Sequence, residues 1–183
     1  SDSPNKLSRT IVINENESLN SLATTLLIVF RTACYHLYQF EINNVIYELP
    51  NEDADFMYSK EERKDSGTRI KDANINGKFK FIYDFGDYWE FELEVIDHQT
   101  KTTDSQIPEC IEAIGYGIAD DNKFPLIEYF ENKGMKLEEI PFVVGKDFGN
   151  ITDFNKVTVK QMNSELKKNF NKIQKAYNKF YMN

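Results

Sequence analysis

The chain has 183 residues and a net charge of −8, from 22 Lys and Arg against 30 Asp and Glu. It is 40% apolar and 14% aromatic, enough for a sizeable core and too much for a disordered chain. No apolar run approaches the roughly 18 residues of a membrane span, and the acidic balance opposes non-specific binding to a phosphate backbone.

The charge is unevenly placed. Residues 155–183 hold seven lysines and one acid, Glu165, for a net of +6, so the rest carries −14. An acidic body with a basic tail follows, and the tail is expected either to dock on that body or to form a phosphate- or partner-binding arm. Ser1–Asn5 is polar and carries no signal-peptide pattern. Two cysteines, Cys34 and Cys110, make no disulfide framework. A cytoplasmic protein is expected.

In chain order, Arg9–Ile13 reads as a short strand. Asn16 and Ser18 are candidate N-caps for a helix whose residues Leu19, Leu22, Ala23, Leu26, Leu27 and Phe30 share a face. Ile28 and Val29 widen that face, which predicts burial on most sides and an end near Ala33. Tyr35–Ile42 alternates with His36, Tyr38, Phe40 and Ile42 on one side. Asn43-Asn44 then signals a turn into a returning strand, Val45–Leu49. Residues 51–77 are expected to form a long loop with one helical turn.

The clearest local structure is Lys78–His98. Pairing residue 83 with 89 sets 81 against 91 and 79 against 93, all apolar. The same register sets Lys80 opposite Glu92 and Lys78 opposite Glu94. A slip of one residue would oppose Phe81 to Glu90 and lose the charge pairs. The connection is therefore Asp84-Phe85-Gly86-Asp87-Tyr88. Residues 99–123 read as irregular, Pro125–Asn132 as a short helix, and Met135–Asn150 as a loop with an extended piece at 142–144. A last helix begins at Val157 or Thr158 and runs to Tyr181. Met162, Leu166, Phe170, Ile173, Tyr177 and Phe180 form its apolar stripe, with Lys168, Lys172, Lys175 and Lys179 on the opposite side.

Several residue sets bear on chemistry. Asp84-Phe85-Gly86 matches the kinase metal-binding tripeptide by letters alone, because the glycine-rich loop and catalytic segment are missing. His36 and His98 are the only histidines. His36 shares a face with Cys34, which suits a buried pair better than a catalytic dyad. Cys34, His36, His98 and Cys110 are zinc-ligand types without zinc-ligand spacing. Asp84 and Asp87 could hold a divalent cation if folded against Asp120 and Asp121, although aspartates at such positions are ordinary turn formers. Tyr38, Phe40, Tyr83, Tyr88 and Trp89 offer either an aromatic cleft or a core.

These residues also carry a resemblance. His36-Leu37-Tyr38-Gln39-Phe40, then Tyr83–Glu90 (YDFGDYWE), then Pro108-Glu109-Cys110 resemble the Ri-plasmid ORF-three-like family, whose pattern runs HLYEF, YDFGDxWxH and proline-x-cysteine. Leu19–Phe30 looks like the family's first helix. Residues 152–168 resemble its closing segment, so the similarity covers about 9–168. The family is mostly uncharacterised, with some members labelled resolvase-like products of insertion elements. The serine and arginines of a serine recombinase, and the Arg/His/Tyr set of a tyrosine recombinase, are not supplied by four arginines and two histidines. The family's histidine after the tryptophan is Phe91 here, and its acidic Cys/Gly stretch is reduced to Gly117–Asn122. Both departures weigh against catalysis.

The expected molecule is one α+β domain over residues 1–183. A mainly antiparallel sheet, with the 78–98 hairpin at its centre, is packed by the 18–33 helix and the basic helix at 157–181. Its expected function is a non-catalytic binding module of a mobile-element-associated family, with no cofactor and no bound metal. The candidate ligand surface is His36, Tyr38, Phe40, Asp84, Asp87, Trp89 and Cys110. The expected partner is a protein, no membrane is involved, and self-association stays open. The alternatives are a nucleic-acid accessory protein using Lys168, Lys172, Lys175 and Lys179, and a metal-dependent hydrolase.

Overall fold

The computed structural model describes residues 7–49, 62–98, 107–115, 117, 118, 120, 121, 123 and 157–181. Its elements are β1 (Ser8–Val12), α1 (Leu19–Val29), β2 (Tyr38–Ile42), β3 (Val45–Glu48), β4 (Glu62–Asp65), β5 (Lys78–Tyr83), β6 (Trp89–Glu94), β7 (Glu109–Ile114) and α2 (Val159–Tyr181). The fold is α+β with mainly antiparallel pairing. A five-stranded sheet runs β4-β3-β2-β5-β6, and β1 pairs with β7 in a two-stranded sheet. β2 holds the middle position, the place expected for the 78–98 hairpin; the β5–β6 hairpin forms one flank, because β5 pairs with β2 on one side and with β6, an edge strand, on the other.

Helix α1 has no charged residue, and all eleven of its positions are buried. Ser18 is its N-cap, its hydroxyl accepting from the Ser21 amide at 3.1 Å. The helix stops at Val29, four residues before the expected end. The Thr32 amide donates to the Leu27 carbonyl and the Arg31 amide to that of Ile28, with Arg31 at φ 58°. This is a Schellman closure with an arginine in the left-handed position where glycine is usual. One polar knot lies inside. The buried Asn20 Oδ1 accepts from the Tyr38 and Ser66 hydroxyls, each at 2.5 Å.

The hairpin has the expected register, Tyr83 opposite Trp89, Phe81 opposite Phe91 and Phe79 opposite Leu93. The ion pairs, however, run diagonally. Lys78 Nζ meets Glu92 at 2.6 Å and Lys80 Nζ meets Glu90 at 3.1 Å, each acid lying two residues along β6 from the directly opposed position, within reach of a long side chain. Asn43 and Asn44 both take positive φ, 51° and 65°, as a two-residue hairpin turn requires.

Two strands lie where the sequence reads as irregular. In the stretch expected to be a loop, β4 pairs parallel to β3, followed by a 3₁₀ turn at Ile70–Ala73. In 99–123, β7 pairs with β1, with a bulge that leaves Ile111 out of the register. The readings at 125–132 and 135–150 fall outside the described residues.

Helix α2 opens on a capping box. The Thr158 amide donates to Gln161 Oε1 at 3.0 Å, and the Gln161 amide donates back to Thr158 Oγ1 at 3.2 Å. It packs along α1 and across β7. Met162, Leu166, Phe170 and Tyr177 of its stripe are buried and Ile173 is partly so. Polar contacts fix its register. The Asn163 side chain brackets Cys110, accepting from its amide at 2.8 Å and donating to its carbonyl at 2.9 Å. Arg31 meets Glu165 at 3.1 Å, and the Tyr177 hydroxyl donates to the His36 carbonyl at 2.8 Å. Among the described residues, no helix is long and apolar enough to cross a membrane.

Candidate functional site

Three segments meet at one end of the five-stranded sheet. The first is 34–36, between α1 and β2. Cys34 at φ 59° turns the chain, and the β2–β5 pairing of Tyr38 with Tyr83 then brings residue 37 beside the β5–β6 turn. The Asp84 amide donates to the Leu37 carbonyl at 3.0 Å. The second segment is that turn. The third comprises 117, 118, 120, 121 and 123, tied to the end of α1 by the Ile118 amide on the Phe30 carbonyl at 3.0 Å. A Cβ at Gly117 would lie 2.5 Å from the same carbonyl oxygen, so only glycine permits this approach. Further along, Asp120 Oδ2 accepts from the Ala33 amide at 2.6 Å. Asp87 Oδ2 accepts from the Lys123 amide at 3.1 Å, and the Lys123 ammonium donates to the Asp87 and Tyr88 carbonyls. That ammonium also lies 5.5 Å from the centroid of the Trp89 ring.

Where the segments converge, His36 Nε2 stands 3.4 Å from Asp84 Oδ2 and 3.3 Å from Asp121 Oδ1. One donor atom from each residue lies within 4.8 Å of the others. Asp84 is 4% exposed. Its Oδ1 accepts from the Gly86 and Asp87 amides at 3.1 and 3.3 Å, whereas Oδ2 is buried without a hydrogen-bond partner, as is His36 Nε2. The Asp121 side chain is 58% exposed, and its Oδ2 accepts from the Tyr35 hydroxyl. Each carboxylate thus has one oxygen engaged by the protein and the other turned toward His36. The imidazole is in ring contact with Tyr35 and Tyr83, with centroids at 4.1 and 5.7 Å.

Burial and acidic neighbours shape the surrounding groups. Burial raises the Asp120 carboxyl above its ordinary range, opposed by the Ala33 amide, the Tyr83 hydroxyl and His36. Burial also raises the Tyr83 hydroxyl, with Asp120 adding to it, and raises the Tyr35 hydroxyl together with its bond to Asp121. The Cys34 thiol is pushed up to about 11, first by burial, and its Sγ lies 3.3 Å from Thr32 Oγ1. A thiol held in that state is a poor nucleophile near neutrality.

The seven candidate ligand residues separate. His36, Asp84 and Asp87 are at the convergence, Asp87 engaged with Lys123. Trp89 backs it from the first position of β6, nearly buried. Tyr38 and Phe40 are buried in the core, with ring centroids 5.7 and 4.9 Å from that of Phe81. Cys110 is buried on β7 of the other sheet, held by Asn163. Of the proposed acidic sets, Asp84 and Asp121 do meet, joined by His36. Among the described residues, neither cysteine nor His98 belongs to a metal-compatible group. Tyr35 and Lys123 were not singled out by the sequence. Tyr35 adjoins His36 in the chain, but no spacing marked Lys123.

An α+β domain with a mixed carboxylate–imidazole cluster at one sheet end is therefore the class of protein defined by fold and site. The chain belongs to the plasmid pRiA4b ORF-3-like protein family, whose model matches residues 1–136. The resemblance at 152–168 lies beyond the matched residues. The uncharacterized protein y4hQ of Sinorhizobium fredii (strain NBRC 101917 / NGR234) is 29% identical over 86 residues, 47% of this chain and 43% of that protein. The matched part of this chain spans less than half of that relative's length. A crystal structure of a protein of unknown function, MM3350 from Methanosarcina mazei Go1, shares the fold at TM-score 0.67 and 18% identity, over 84% of this chain and 87% of that one.

Proposed function

We propose that this chain is a binding module that seats a cationic group at the mouth formed by residues 34–36, 84–88, 120, 121 and 123. The observation that carries this reading is the buried Asp84 carboxylate, whose Oδ2 has no hydrogen-bond partner. A buried carboxylate oxygen left without a donor is costly, and a ligand or ion that supplies the missing partner removes that cost. Asp121 adds a second carboxylate on the solvent side. Tyr35, Phe85 and Tyr88, exposed beside His36 and on the turn, supply aromatic faces of the kind that favour cations. The plasmid reference in the family's description supports an association with mobile elements. A protein partner presenting a basic side chain is one source of the group.

The test is thermal melting and amide NMR of the full chain with a poly-arginine peptide and a poly-glutamate peptide of equal length. Only the basic peptide should raise the melting temperature and shift the Ala33, Gly86 and Asp87 amides. Asp121→Asn should abolish both effects while Glu92→Gln keeps them. A response that survives Asp121→Asn, or no response, refutes the reading.

A second reading rests on α2. Its apolar stripe packs on α1 and β7, and Lys168, Lys172, Lys175 and Lys179 are exposed on the other side. The geometry suits a nucleic-acid accessory role using that face.

A further inference from the structure

Resting on the cationic-group reading of the same mouth, we infer that His36, Asp84 and Asp121 form a site for one divalent transition-metal ion, zinc in the first instance. Three observations converge on it. The donor set is one imidazole nitrogen and two carboxylate oxygens, which suits zinc and its neighbours rather than magnesium or calcium. The two distances from His36 fit as well. For a metal–ligand length of about 2.0–2.1 Å, the edge of a tetrahedron is about 3.3–3.4 Å. His36 Nε2 lies 3.4 Å from Asp84 Oδ2 and 3.3 Å from Asp121 Oδ1. Finally, two of the three atoms that would face the ion are left unserved by the protein. Asp84 Oδ2 and His36 Nε2 are buried without hydrogen-bond partners, in a side chain only 6% exposed for Asp84.

The supporting shell has the organisation of a ligand site. The Gly86 and Asp87 amides hold Asp84 Oδ1 and thereby aim Oδ2 inward. The Tyr35 hydroxyl holds Asp121 Oδ2 and leaves Oδ1 toward His36. Such outer contacts fix ligand orientation and sharpen affinity. Three protein ligands leave a fourth tetrahedral position open on the exposed Asp121 side, where water or an oxygen of a partner would bind. The competing arrangement is a direct pairing of His36 with both aspartates, which needs no ion.

The experiment is titration of the chelator-stripped full chain with zinc chloride, read by calorimetry, by competition with a chromophoric chelator and by melting temperature. One equivalent should bind. Magnesium and calcium should bind at least about a hundredfold more weakly. Asp121→Asn is the decisive variant, since residue 121 is exposed and asparagine tolerates its positive φ. It should lower zinc affinity at least about tenfold without lowering the metal-free melting temperature, and His36→Gln should do the same to affinity. A double Cys34→Ser, Cys110→Ser variant should keep the site. Zinc binding that vanishes with the cysteines, or is untouched by Asp121→Asn, overturns the inference. If zinc fails to bind while the poly-arginine peptide still does so in an Asp121-dependent way, the metal assignment falls and the broader reading stands. If neither binds, both fall.

Discussion

Individual residues show how closely this fold depends on local satisfaction. Asn20 is buried in α1 and serves two hydroxyls, those of Tyr38 and Ser66, so it joins the helix to β2 and to the segment after β4. Asn20→Leu would leave both hydroxyls without their acceptor. The expected loss is about 2–4 kcal/mol in urea unfolding, whereas a change below about 0.5 kcal/mol would mean that the knot is replaceable. Cys34 makes a different point. Its thiol, raised to about 11 mainly by burial, should react slowly with iodoacetamide at pH 8 in the native chain and rapidly once unfolded. Because the folded value lies above the unfolded one, its contribution to stability is full below about pH 9. It fades as pH rises toward 11. Rapid native labelling of Cys34 would contradict this.

At the scale of elements, legibility followed from how many independent patterns agreed. The β5–β6 register was readable because an apolar face and a charged face demand the same pairing, and because the turn residues close it. By contrast β4, Glu-Arg-Lys-Asp, has no apolar residue. It is an edge strand protected by charge, so a strand hidden in that composition has no period to detect. In β7 the bulge at Ile111 interrupts the two-residue alternation, which disguised a strand as irregular chain. The early end of α1 turned on a left-handed arginine that no local propensity favours. Energetically the apolar face of the hairpin should dominate. Phe81→Ala should cost about 3–5 kcal/mol by chemical denaturation. Lys80→Ala should leave the midpoint unchanged within error, because its ion pair is exposed and screened. Comparable losses would place the hairpin's stability in its charges instead.

For the whole molecule, the candidate site was visible in parts but not as a set. Asp84, Asp87, Asp120 and Asp121 stood out as acids near turns, and His36 through the family pattern. Their meeting depends on long-range placement. The Schellman closure of α1, the positive φ at Cys34 and the close approach at Gly117 each contribute, and none of these predicts the others. The core aromatics Tyr38 and Phe40 share the alternating pattern of His36, and only burial separates ligand candidate from core. Helix α2 adds the second charged surface of the molecule. If its outer face binds phosphate, a fluorescent duplex should bind at about 50 mM salt and release steeply toward about 200 mM. Binding should be lost when Lys168, Lys172, Lys175 and Lys179 become glutamate. No binding at low salt removes that reading.

The central claim is that His36, Asp84 and Asp121 together hold one metal ion at the mouth beside Tyr35 and the β5–β6 turn. Anomalous diffraction at the zinc edge, from crystals of the full chain grown with zinc, tests it most directly. The account predicts one strong peak about 2.0–2.1 Å from His36 Nε2, Asp84 Oδ2 and Asp121 Oδ1. An empty position there, with His36 hydrogen-bonded directly to an aspartate and zinc seated elsewhere, would contradict it.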